Sequence, residues 1–372
     1  MNNNLIFSGN TAWGMYNFRG KLMKHFYENG YAVSVLAPED PVFSNKLREL
    51  GCNVIDVKIE PKGSNPFNDL MLIWHYFKIF KREKPDVSIT YTIKPNIYAS
   101  IAARMAGVPF LPVTTGMGYV FLHDNLVCKI AKQLYKFAFT HAKKVWFLNK
   151  DDMQTFKEQR LIRDDQIDLL HGEGIDTVHF SIAPLPSSSN SCTFLLVGRI
   201  LKDKGVAEYV EAARMIRKQY PDSRFLLLGA LWEDNPAAIS KNQLDEWCCE
   251  GDIEYLGTTN DVRGTLQKAD CVVLPSYREG IPFTLMEGAS TGRPLIATDI
   301  PGCRDVVIDG KTGFLCEVKN PQSLADAMIK MIKLSPEQRT AMGKAGRAYM
   351  EQEFDIKHII LQYEKVIDEM CE

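Results

Sequence analysis

The run Arg278-Glu279-Gly280-Ile281-Pro282-Phe283-Thr284-Leu285-Met286-Glu287-Gly288 follows Cys271-Val272-Val273-Leu274 by way of Pro275-Ser276-Tyr277. The apolar run reads as a buried parallel strand that Pro275 ends. The chain then turns through Gly280 and Pro282, and a helix is predicted to begin after Thr284. Glu279 therefore falls in the loop at the strand's carboxyl end and Glu287 in the first helical turn, where open α/β sheets keep their ligand crevices. A purely structural reading competes with this one. Thr284-Leu285-Met286-Glu287 has the form of a capping box, in which the glutamate satisfies only a backbone N–H.

A second segment lies upstream. Thr193 to Val197 is another apolar strand, and Gly198-Arg199-Ile200-Leu201-Lys202-Asp203-Lys204-Gly205 leads from it into a helix predicted to run to about Gln219. Three cations gathered just before a helix N-terminus oppose its partial positive charge unless an anion joins them. Phosphate is the expected anion. The alternative is that Asp203 and solvent neutralise the cluster.

Outward from these segments, both halves of the chain alternate strand and helix. In the first half strands are predicted at Asn4 to Ser8, Ala32 to Ala37, Asn53 to Val57, Val87 to Thr90 and Phe110 to Thr114, and near Phe147 to Asn149 and Ile167 to Leu170. Helices are predicted at Phe18 to Asn29, Pro41 to Leu50, Asp69 to Lys81 and Ile97 to Met105. The second half repeats the pattern, with strands at Arg224 to Leu228, Ile253 to Leu256, Pro294 to Ala297 and Gly313 to Cys316. Such repetition means parallel sheets with helices on both faces. Ala183-Pro184-Leu185-Pro186-Ser187-Ser188-Ser189-Asn190-Ser191 is a linker by composition. At the end, Ile359, Ile360, Tyr363, Val366, Ile367 and Met370 form a helical apolar stripe.

Length and composition fit such an organisation. At 372 residues the chain is too long for one ordinary core, so two domains are expected. Forty-four Lys and Arg against 46 Asp and Glu leave a net charge of -2, which argues against a nucleic-acid partner held by bulk charge. The nine cysteines contain no C-x-x-C pair, which points to reduced thiols in a cytoplasmic protein. No signal peptide precedes Leu5 and no run of about eighteen apolar residues occurs, so no membrane span is expected. A dehydrogenase would need G-x-G-x-x-G after the first strand. The sequence there is Ser8-Gly9-Asn10-Thr11-Ala12-Trp13-Gly14-Met15-Tyr16-Asn17-Phe18-Arg19-Gly20, with the wrong glycine spacing.

The two opening segments together resemble the donor site of glycosyltransferase family 4, retaining nucleotide-sugar enzymes of the GT-B fold. The match comprises G-R-x4-K-G at Gly198 to Gly205, E-x7-E at Glu279 to Glu287, and the trailing Gly292-Arg293-Pro294, Pro301-Gly302 and Asp309-Gly310-x2-Gly313-Phe314-Leu315. The resemblance implies two Rossmann-like domains facing across a cleft. The first, 1–182, would bind acceptor and be joined by the C-terminal helix 355–372 packing back on it. The second, 183–354, would bind a nucleotide sugar. Gly172-Glu173-Gly174-Ile175-Asp176 is similar to the family's crossing between them.

What the resemblance implies for single residues is specific. Arg199 and Lys204 would hold the donor diphosphate, Glu279 the hydroxyls of the transferred sugar, and Glu287 the ribose hydroxyls. These first three would be the catalytic residues. Gly14, Gly198, Pro282, Phe283 and Thr284 would complete the donor site, the backbone amides around Phe283 and Thr284 cradling phosphate. Asn17-Phe18-Arg19 and Lys94-Pro95-Asn96 are similar to the branch that extends polyprenyl-diphosphate-linked sugars, including N-acetylgalactosaminyltransferases. Trp13, Arg19 and Lys94 are then the acceptor candidates, the last two for its diphosphate. Many members carry a His in the first domain, whereas Thr92-Ile93-Lys94 and Val113 to Gly118 have none, and His123 and His171 stand alone.

A UDP-sugar donor, a polyprenyl-diphosphate sugar acceptor and no metal or other cofactor are expected. A lipid-linked acceptor calls for a peripheral position on the cytoplasmic membrane face. Phe67 to Arg82 combines Leu70, Met71, Trp74 and Phe77 with Lys78, Lys81 and Arg82, which suits an interfacial helix and equally a helix buried on the sheet. Tyr119-Val120-Phe121-Leu122 with the Lys129 to Lys136 helix is a second candidate surface. The rival functions are a GT-B nucleotide-sugar epimerase, a transferase acting on a soluble acceptor and a non-enzymatic nucleotide-sugar-binding regulator.

Overall fold

A computed structural model describes residues 3–59, 65–117, 126–186, 191–232, 235 and 237–371. Tyr119 to Leu122, His123 and the linker residues 187–190 lie outside them. The chain folds as two compact units, Met1–Glu173 with Ile356–Glu372, and Gly174–Asp355.

The first unit is built on a seven-stranded sheet of β1 (Asn4–Ser8), β2 (Ala32–Ala37), β3 (Asn53–Asp56), β4 (Val87–Tyr91), β5 (Phe110–Thr114), β6 (Val145–Phe147) and β7 (Ile167–Leu169), in the order β3-β2-β1-β4-β5-β6-β7. Every pairing is parallel. The second unit repeats the plan with β8 (Thr193–Val197), β9 (Arg224–Leu228), β10 (Glu254–Tyr255), β11 (Cys271–Leu274), β12 (Leu295–Thr298) and β13 (Gly313–Cys316), ordered β10-β9-β8-β11-β12-β13 and again all parallel. The near-continuous apolar strands are buried because helices cover both faces of each sheet. In each unit the strand order reverses once, between β1 and β4 and between β8 and β11. Those two switch points fix where crevices open at the strands' carboxyl ends.

Several local expectations shift. The first helix spans Ala12–Glu28, because the Thr11 hydroxyl accepts from Gly14 N at 3.1 Å and caps it there. Most of the stretch read as a glycine loop is therefore helical. The strand expected at Phe147 to Asn149 is β6, two residues earlier in its start, because Asn149 Oδ1 caps the next helix by accepting from Asp152 N at 2.8 Å. Residues 174–182 belong with the second unit, ahead of the expected boundary at 182. Ile175 N donates to Phe354 O at 2.8 Å, Thr177 is bonded to Asp355, and Phe180 O accepts from Arg347 Nη1 at 2.6 Å. These partners are remote in sequence, so composition alone places the join later.

The terminal helix Ile356–Cys371 is part of the first unit. It buries Ile359, Tyr363, Val366, Ile367 and Met370. Its Tyr363 hydroxyl meets that of Tyr91 at 2.8 Å, and its ring lies edge-on to Trp146 with centroids 4.7 Å apart.

Arg19 is the main correction among the acceptor candidates. Only 5% exposed, it pairs with Glu173, donates to Gly14 O at 3.1 Å and lies 4.4 Å from the Tyr91 ring centroid. A guanidinium so enclosed is a structural cation of the first unit, and not one presented to a diphosphate. Burial pushes the Glu173 carboxyl up to about 7 against the opposing pull of Arg19. Glu173→Ala would strand this charge in the interior. The expected cost is about 3–5 kcal/mol, measured by urea unfolding.

Candidate functional site

The second unit's switch point gathers the predicted donor residues. The Gly198–Gly205 loop leaves β8, the Pro275–Pro282 loop leaves β11, and the two strands are paired neighbours. Hydrogen bonds tie the two connections: Tyr277 N donates to Asp203 O at 2.9 Å, and the Thr284 hydroxyl donates to Val197 O at 3.3 Å. Gly205 closes a short 3-10 turn over Lys202–Lys204 at φ +69°, and a Cβ there would stand 2.1 Å from Pro275 O. Only glycine allows the helix Val206–Arg217 to start so close to the neighbouring loop.

The helix after β11 spans Phe283–Ser290, with Pro282 as an N-cap that makes no side-chain cap. It begins before Thr284, so the capping box does not form, and Glu287 falls in the second turn instead of the first. The glutamate is left for another purpose. Half-buried, its carboxyl is pushed up to about 7, chiefly by burial and further by Asp261. Thr284 is occupied by the bond to Val197, and Pro282, Phe283 and Thr284 form the helix entrance at the crevice.

Arg199 and Lys204 differ in their surroundings. Lys204 is paired with Glu279, whereas Asp203, the neutralising partner weighed from sequence, supplies its backbone carbonyl to Tyr277. Arg199 lies 5.0 Å from the Trp232 ring centroid. Trp232 went unnoticed in the sequence. Its loop is laced to the Gly198–Gly205 backbone, with Ile200 N donating to Ala230 O at 3.0 Å and Lys202 N to Ala237 O at 2.8 Å. An exposed tryptophan just past the end of a strand, in Leu228-Gly229-Ala230-Leu231-Trp232, was the available signal. Among the described residues no group of three or more His, Cys, Asp or Glu is placed to hold a metal ion.

In the first unit, the switch point between β1 and β4 holds Gly14, Trp13 and Lys94. Gly14 lies in the opening turn of the first helix with its N–H given to Thr11. Trp13 is 48% exposed and packs edge-on against Phe18, centroids 5.2 Å apart. Lys94 bonds Asp69 at 3.1 Å with both side chains mostly covered. Just before it, Thr92 adopts φ +68°, a left-handed conformation that a β-branched residue rarely takes, and a turn of π-helix follows over Pro95–Ala99. Strain and π-turns of this kind concentrate at functional sites.

An all-parallel pair of Rossmann-like units, one carrying a cation-lined loop and two carboxylates at its switch point, defines a nucleotide-sugar-handling enzyme of the GT-B class. Comparison with known proteins agrees. The family model "Glycosyl transferases group 1" matches residues 180–349 and "Glycosyl transferase 4-like" matches residues 5–149. A Campylobacter jejuni N,N'-diacetylbacillosaminyl-diphospho-undecaprenol alpha-1,3-N-acetylgalactosaminyltransferase is 26% identical over 97% of this chain and 97% of its own length. An Escherichia coli UDP-Gal:alpha-D-GlcNAc-diphosphoundecaprenol alpha-1,3-galactosyltransferase is 29% identical over 71% of this chain and 70% of its own. Among solved structures, Anabaena HepE in complex with UDP and glucose matches with a TM-score of 0.81 at 18% identity, covering 98% of this chain and 99% of that one. The chain belongs to this glycosyltransferase family and is a nucleotide-sugar-dependent glycosyltransferase.

Glu287 makes a pH test possible. If Glu287 accepts ribose hydroxyls as a carboxylate, as the family resemblance implies, its grip weakens on protonation, and burial pushes that carboxyl up to about 7. Nucleotide-sugar affinity is then expected to be flat above pH 7 and to fall by up to roughly tenfold per unit below it. Calorimetry across pH 5.5–8.5 on wild type and Glu287→Gln checks this; the variant should lose the slope.

Proposed function

We propose that the protein transfers a hexose or N-acetylhexosamine, with retention, from a UDP-sugar to an undecaprenyl-diphosphate-linked sugar in surface polysaccharide or glycan assembly. The observation that carries the donor half is the convergence of Arg199, Lys204, Glu279 and Glu287 on one switch point. The two relatives' names supply the acceptor class, since both act on sugars linked to undecaprenol through diphosphate. In the first unit Lys94, Trp13 and Gly14 keep the roles expected of them, Lys94 toward the acceptor diphosphate. Arg199 and Lys204 would stabilise the departing diphosphate. Retention would proceed by front-face substitution, in which the departing phosphate oxygen takes the acceptor hydroxyl's proton. In this reading the cation pair carries the charge stabilisation, with no metal required.

A peripheral place at the cytoplasmic membrane face follows from the acceptor and has surface support. The helix Pro66–Glu83 buries Leu72, Tyr76, Ile79 and Phe80 in the core while exposing Phe67, Leu70, Met71 and Trp74 on its other side. The packed face accounts for the buried reading of that segment, and the exposed apolar face is what supports the interfacial one. Lys78 lies over Trp74, Lys81 over Phe77, and Arg104 over Phe137 of the next exposed apolar helix, Leu126–Phe139. Aromatic groups ringed by cations suit an anionic lipid surface. Among the described residues no helix is long and apolar enough to cross a membrane.

The test is a thermal-shift screen of nucleotide sugars, then assay of the best with a short polyprenyl-diphosphate sugar, free and in anionic vesicles. UDP release that depends on acceptor is expected, faster with vesicles. Release independent of the lipid diphosphate, or isomerisation of the donor with no acceptor present, would reject the proposal.

A further inference from the structure

Lys204 and Glu279 meet from two different loops in direct side-chain contact, with only 18% and 13% of their side chains exposed. The Glu279-Gly280 backbone lies against Gly302, where an added Cβ would stand 1.7 Å from Gly280 O and 3.2 Å from Glu279 O, which places the pair beside the Pro301-Gly302 turn. Resting on the donor reading above, this contact raises a conflict. That reading gives Lys204 to phosphate and Glu279 to a sugar hydroxyl, yet without ligand each holds the other. An ammonium has donors to spare, but a phosphate oxygen arriving beside a carboxylate on the same cation brings two negative charges together in a poorly solvated place.

We infer that Glu279 is a placeholder for the donor diphosphate and, through Lys204, discriminates UDP-sugar from UDP. When a UDP-sugar enters, the diphosphate takes Lys204 and the released carboxylate accepts from a hydroxyl of the sugar, so both groups stay satisfied. When UDP enters alone, the diphosphate displaces the same carboxylate and no hydroxyl is there to receive it. Glu279 then competes for Lys204 and weakens the nucleotide. After transfer the same competition returns, so the side chain that holds the sugar before reaction helps expel the product after it.

The experiment compares UDP and the best UDP-sugar by calorimetry on the full chain. Wild type, Glu279→Gln, Glu279→Ala, Lys204→Met and the Lys204→Met/Glu279→Gln double variant are measured, each first shown to melt as wild type does. Glu279→Gln is expected to tighten UDP about tenfold, within the range typical of coupling between two sites, while UDP-sugar affinity stays level or falls. Glu279→Ala should tighten UDP similarly, and the gain should vanish on the Lys204→Met background. An unchanged UDP to UDP-sugar ratio in both Glu279 variants, or a gain that persists without Lys204, overturns the inference and leaves the donor reading intact. Wild type that binds none of UDP, GDP or ADP overturns both.

Discussion

Arg199→Ala is expected to lower turnover by about 10²–10³ while leaving the fold intact. The reason lies in where charge develops. As the glycosidic bond to the diphosphate breaks, negative charge grows on the leaving oxygens, and fixed donors facing it are worth about 2.7–4 kcal/mol each by analogy with deletions of oxyanion donors. In the proposed donor site Arg199 is an exposed side chain that its loop and one aromatic ring hold in place. It stands at the carboxyl end of β8 against the Trp232 ring, on a loop bonded to the β9 side through Ile200 and Lys202. Interactions made mainly in the transition state lower kcat and kcat/KM together, with little change in KM. A variant that raised KM alone would show Arg199 to be a uniform binder. Turnover within threefold of wild type would remove it from the charge-stabilising role. Trp232→Ala should show part of the same loss, and Trp232→Phe should restore most of it.

What the sequence could and could not reveal divides along the range of the interactions. The parallel sheets were legible because alternation of apolar strands and helices is a local pattern, and the Gly198–Gly205 loop stood out because three cations before a helix start conflict with its dipole. Partners far apart in the chain were not. Arg19 has the aromatic and basic neighbours of an acceptor site, but its fate is settled by Glu173, 154 residues away. Thr284 has the local form of a helix cap, yet its hydroxyl goes to Val197, 87 residues upstream, and Pro282 becomes the cap instead. Lys204 has Asp203 beside it in sequence and Glu279 beside it in space. In each case a local partner was available and a distant one took its place, for Thr284 and Lys204 because the loops of β8 and β11 converge and for Arg19 because Glu173 meets it inside the first unit. The helix Pro66–Glu83 gave an ambiguous reading for a different reason, since it is apolar on two faces and only packing tells which one is covered.

Gly302→Ala should be among the most damaging single-methyl changes in the second unit. Gly302 sits at φ +80°, and a Cβ there would lie 1.7 Å from Gly280 O and 2.6 Å from its carbonyl carbon. Backbone on both sides leaves no flexible side chain to yield, so either the Pro301-Gly302 turn or the Glu279-Gly280 loop must move. The left-handed conformation alone costs a non-glycine residue about 1–2 kcal/mol. The overlap adds to that, for a total on the order of 3 kcal/mol or more. In a domain of this size that corresponds to a fall in Tm of roughly 6–12 °C. Function should suffer further, because a shift of about 1 Å in a positioning group can cost on the order of 10² in rate. Gly310→Ala provides the control. Its φ of +71° is as left-handed, but no atom lies within 4 Å of the added methyl. It should show the conformational cost with turnover near wild type. If Gly302→Ala melts and turns over like Gly310→Ala, the close approach of the two loops does not hold Glu279 in place.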